Sequence, residues 1–136
     1  MIYPKYEPIG RAILETRFRK VTNDDGTFNV YEAKELAREY ANIIFVDPFW
    51  GKSAEDLIYV ALETLFKENP DFTRKDLFQM FMGHEEPFLN RIMRGEPTDG
   101  RAYLFAPNPT STVVSMFCAI QSAFYSAIDI EREESV

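Results

Sequence analysis

Side chains able to do covalent or proton-transfer chemistry are scarce in this chain. His84 is the single imidazole and Cys118 the single thiol in 136 residues. Glu85 and Glu86 follow His84 directly, but successive side chains point to different faces of any regular element, so the three do not converge on a metal or a shared proton. His84 is therefore expected in a solvated loop. Cys118 stands between Phe117 and Ala119 in an apolar run with no base near it in sequence, which reads as an inert core thiol. No spacing singles out two carboxylates for acid–base work. The balance is against an enzyme, although a pocket assembled from dispersed residues would leave no such trace in the sequence.

Oxygen-bearing side chains are better spaced. Asn23, Asp25, Asn29 and Glu32 surround Gly26 in residues 21–32. This stretch resembles the calcium loop of an EF-hand, with Asn23 at position three, Asp25 at five, Gly26 at the sharp turn, Phe28 at the apolar position and Glu32 at the bidentate last position. The resemblance implies helix-loop-helix structure and a Ca2+ site on Asn23, Asp25 and Glu32. Residues 66–76 look like the relic of a partner hand, shortened and carrying Lys67 and Pro70. Position one is Val21, which offers no oxygen to a cation that needs about six to eight. The competing reading of the same residues is an Asp-Gly turn or a strand hairpin.

Two further patterns concern phosphate. Residues 73–96 have the cadence of a helix-turn-helix, with Gly83 at the turn and Asn90, Arg91 and Arg94 where a reading helix would meet base edges. Glu85 and Glu86 sit on the leading edge of that helix and would repel DNA. Residues 46–53 resemble a phosphate loop through Gly51-Lys52-Ser53, but Val46 replaces the first glycine and bulky Phe49 and Trp50 stand where backbone must approach phosphate closely. The same residues carry a different signal. Phe49 and the only Trp, Trp50, adjoin Lys52, and aromatics on such a segment are either plugs on the core or anchors for a partner.

These groups must be positioned by helices. Ala33, Leu36, Ala37, Tyr40, Ile43 and Ile44 recur at three and four and predict a helix over 32–45, stopped by Asp47-Pro48. Ser53 with Asp56 has capping-box spacing, followed by a wide apolar face through Leu65 and Phe66 and a stop at Asn69-Pro70. Thr73 with Asp76 repeats the spacing before a short helix ended by Gly83. Pro87 opens another, closed by Gly95. Pro97-Thr98-Asp99-Gly100 reads as a turn. Residues 9–31 admit both a helix, through Ile9, Ile13, Leu14 and Phe18, and a hairpin pairing 17–21 with 27–31.

No charged residue occurs between 106 and 128, and Thr110 or Ser111 can cap a helix over about 112–130. Its length permits a membrane span. Gln121, the interspersed serines and the acidic end favour a central buried helix instead. Ser115, Ala119, Ala123 and Ala127 lie four apart, a stripe of small side chains that lets another backbone approach, within the monomer or as a homodimer seam.

At the scale of the chain, 46% apolar residues suit a single domain spanning 1–136 with one core. Fifteen bases against twenty-two acids give a net charge of −7, which removes any general attraction to nucleic acid. Positive charge is concentrated at the start, where Lys5, Arg11, Arg17, Arg19 and Lys20 outnumber Glu7 and Glu15. This strip is expected to pair with the acidic stretch that follows it. One Cys and no leader-like run at the start suggest a reducing cytoplasm. The expectation is a mainly α, compact bundle of five or six helices around the apolar C-terminal one, with a small hairpin near 17–31. Its expected role is non-enzymatic: an acidic inhibitor, immunity factor or adaptor that binds another protein through Phe49, Trp50 and Lys52. A calcium module and a DNA-binding regulator are the alternatives.

Overall fold

A computed structural model describes residues 6–98 and 110–135. It contains six helices: α1 (Glu7–Glu15), α2 (Val30–Ile44), α3 (Pro48–Glu68), α4 (Arg74–Met82), α5 (Phe88–Arg94) and α6 (Ser111–Glu134), and no strand among the described residues. The bundle is mainly α, as its periodicities predict. Of the turn expected at 97–100, Asp99 and Gly100 lie outside the described residues.

The helices α2 and α3 form an antiparallel pair joined by Phe45, Val46 and Asp47. Asp47-Pro48 proves to be a start rather than only a stop. Asp47 caps α3 by accepting from Phe49 N–H, and Pro48, whose missing N–H costs nothing in the first turn, begins the helix. The helix thus starts five residues before the Ser53 cap read from sequence, which places Phe49, Trp50 and Gly51-Lys52-Ser53 on its first turns. A phosphate loop needs those amides free, so that resemblance does not survive. At the other boundary the capping box of Thr73 and Asp76 is present on both sides, and Gly83 ends α4 at φ 69°, in the left-handed region.

The first thirty residues divide between the two readings. The amphipathic face of Ile9 and Ile13 makes α1, and the chain then runs extended from Thr16. Thr22 and Phe28 form one antiparallel bridge, and Asn29 N–H reaches Val21 O at 2.7 Å. The hairpin is shorter than expected because Asn29 caps α2, which draws Val30 and Tyr31 into the helix.

Burial centres on α3, in which every residue from Leu57 to Leu65 is buried. At about 1.5–3 kcal/mol for each large apolar side chain removed from water, this segment is the main cohesive element. α6 completes the core from one side. Its Phe124 meets Phe78 at 4.7 Å, Phe81 at 5.1 Å and Tyr40 at 5.8 Å between ring centroids. By length and composition α6 is apolar enough to cross a bilayer, yet its Met116, Ile120, Ala123, Phe124 and Ala127 face is buried in the bundle. The opposite face of its first half is open, and Cys118 is exposed on it. The core-thiol expectation is thereby corrected: lack of charge does not bury a helix on every face.

Close approach of α1 explains the small stripe. A Cβ on Gly10 would stand 2.7 Å from Ser126 Oγ and 3.0 Å from Ala127 N. Ala123 and Ala127 are buried there, whereas Ala119 is half-buried and Ser115 exposed. Half of the stripe is therefore spent within the monomer.

Candidate functional site

Among the described residues, the α2–α3 corner carries the most exposed large apolar side chains. Val46, at the bend, is 97% exposed and Phe49 70%. Trp50 is half-buried and stands edge-to-face with Phe49, ring centroids 5.5 Å apart. The Asp47 cap fixes the first turn of α3, so the two rings project from a rigid helix end rather than a loose loop. Lys52, one turn on, donates to Glu55 Oε2 at 2.8 Å and lies 3.5 Å from Asp56 Oδ1. The hydrogen bond to Glu55 holds its pKa above the ordinary lysine value. Lys52 thus offsets one of the two negative charges of Glu55 and Asp56 and is engaged away from the aromatic pair. Val46 was not singled out from sequence. Its exposure follows from a tertiary fact, the tightness of the bend.

The proposed calcium donors have other engagements. Asp25 accepts from Thr27 N–H at 3.0 Å and from the Thr27 hydroxyl at 2.5 Å, and the hydroxyl bond keeps its carboxyl pKa low. Asn23 donates its amide to Thr27 Oγ1 at 2.9 Å. Glu32 is held by Arg19 at 2.8 Å, and Val21 is 3% exposed in the core. No helix leads into this loop. Among the described residues no group of three or more His, Cys, Asp and Glu side chains is arranged to hold a metal ion.

The would-be reading helix α5 has only seven residues, and its bases face carboxylates. Arg91 Nε lies 2.8 Å from both oxygens of Glu68. Arg94 donates to Glu86 at 2.6 and 3.2 Å, which lowers the Glu86 pKa and raises that of Arg94. Asn90 borders an apolar cavity of about 290 Å³ between α3, α5 and α6. His84 is exposed in the turn before α5.

The chain matches no protein-family model, and no curated protein or solved structure matches it.

Proposed function

We propose that this chain is a non-enzymatic protein-binding module of the inhibitor, immunity or adaptor kind, working in the cytoplasm, whose partner closes over Val46, Phe49 and Trp50. The observation that carries this reading is the pairing of a 97% exposed Val46 with a 70% exposed Phe49 beside the only Trp on a capped helix end. Aromatic anchors on rigid elements are the side chains that dominate protein interfaces, because they add large contact area at small entropic cost. Lys52 contributes by engaging Glu55 and Asp56, which lowers the cost of bringing a partner over these two carboxylates. The net charge of −7 favours a partner with a basic rim.

Affinity capture from the source cell tests this. Wild-type protein should return one stoichiometric partner, and Phe49→Ala should lose at least about tenfold in affinity, or about 1.4 kcal/mol. Its melting temperature should stay unchanged, because the ring covers little core. A partner retained by Phe49→Ala and Trp50→Ala alike would overturn the reading.

A further inference from the structure

A second concavity, of about 530 Å³, lies between the extended segment after α1 and α2, lined by Arg17, Arg19, Lys20, Glu32 and Glu39. Its floor is fixed. Arg19 donates through Nη1 to Glu32 at 2.8 Å and through Nη2 to Glu39 at 2.5 Å, and the two glutamates sit seven residues apart along α2. This is the pairing of the basic strip with the acidic stretch that charge distribution predicts. It is incomplete, because Arg17 and Lys20 are exposed and have no carboxylate partner among the described residues. Three positive charges against two negative leave the concavity at +1 on a chain of net −7.

We infer that this concavity is an anion site, which takes the phosphate group of a small phosphate monoester on the Arg17 guanidinium and the Lys20 ammonium. A phosphate monoester brings up to about two charges and three acceptor oxygens, enough to engage a guanidinium fork and an ammonium together. A carboxylate offers fewer acceptors and half the charge. Arg19 is the positioning residue. Clamped at both ends by Glu32 and Glu39, it cannot swing out to the rim, and it keeps those carboxylates from pairing with Arg17 and Lys20. The concavity is larger than a bare phosphate ion needs, which leaves space for the organic part of the ester. The site is separate from the α2–α3 corner, and neither depends on the other.

Two-dimensional amide NMR of the full chain, titrated with inorganic phosphate and with glycerol 3-phosphate at constant ionic strength, tests this. Expected is a saturable response confined to residues 17–21 and 32–39, with glycerol 3-phosphate binding several-fold tighter than phosphate. Arg17→Gln combined with Lys20→Gln should weaken both at least about tenfold with no change in melting temperature, since neither side chain holds the fold. Lys75→Gln, an exposed charge on α4, should change nothing. Shifts that rise linearly without saturating, or curves identical in wild type and the double variant, would overturn the inference. So would binding of a phosphoserine peptide with neither small phosphate bound, which would assign the surface to a protein ligand.

Discussion

Tyr40 shows how a single atom can be at odds with an otherwise satisfied core. Its ring is fully buried against Phe78 and Phe124, and its hydroxyl is buried with no hydrogen-bond partner among the described residues. A buried, unsatisfied donor costs roughly 1–3 kcal/mol, so Tyr40→Phe should leave stability unchanged or raise it by about 1 kcal/mol in chemical denaturation. Burial also pushes the Tyr40 pKa above its ordinary value of 10. Above pH 10 the unfolded chain would lose this proton while the folded chain keeps it, so stability should fall with rising pH in that range, and Tyr40→Phe should reduce the slope. A Tyr40→Phe variant that is markedly less stable would mean that the hydroxyl has a partner after all. At the calcium-like loop, calorimetric titration should give no saturable heat with Ca2+, because Val21 is buried and Glu32 is committed to Arg19. Saturable heat that Asp25→Ala abolishes would instead support the EF-hand reading. The sequence shows the loop residues and a basic strip expected to pair with the acids after it, but not that Arg19 takes Glu32 and Glu39, 13 and 20 positions away. Spacing within a segment can nominate ligands. It does not say which base of a neighbouring strip takes which ligand.

Helix boundaries were legible wherever the stop or cap chemistry is local. Thr73 with Asp76, Gly83 and Asn69 all lie where their side chains or backbone freedom demand. Asp47-Pro48 misleads because the same dipeptide ends one helix and begins the next: proline excludes helical continuation and suits a first turn equally well. The two candidate caps differ in their predicted effect. Asp47→Ala should cost about 1 kcal/mol by urea denaturation, whereas Ser53→Ala, inside the helix, should stay within about 0.5 kcal/mol. The reverse order would move the start of α3 back to Ser53 and return Phe49 and Trp50 to a loop. Helix pairing was less visible than helix ends. Gly10 gives no sign in sequence that α6 passes over it, yet Gly10→Ala must displace Ser126 Oγ, which accepts no such crowding while it donates to Tyr6 O at 3.1 Å. Overpacking of this kind costs about 1–3 kcal/mol, against about 0.5–1 kcal/mol gained by replacing a helical glycine. The expected result is a net loss, seen as a lower melting temperature.

For the molecule as a whole, the apolar helix α6 has to be reconciled with an acidic composition, and its two halves do this differently. The second half is closed by α1, with Ala123, Ser126 and Ala127 buried, whereas Ser115 and Cys118 of the first half are exposed and Val114 is 45% exposed. Sequence showed the stripe but not its division, because the partner helix α1 lies more than a hundred residues away. A homodimer through Ser115, Ala119, Ala123 and Ala127 would need all four positions, and α1 already occupies two. We therefore expect light scattering to give the mass of one chain at micromolar concentration. Leucine substitutions separate the two halves. Ala127→Leu should lower stability by about 1–3 kcal/mol through overpacking against α1, whereas Ser115→Leu should leave the melting temperature unchanged. Neither should alter the mass. If wild-type protein instead scatters as a dimer and Ser115→Leu returns it to one chain, the exposed half of α6 is the seam between copies. Phe49→Ala then serves as the control: a dimer indifferent to it would leave the α2–α3 corner available to a different partner.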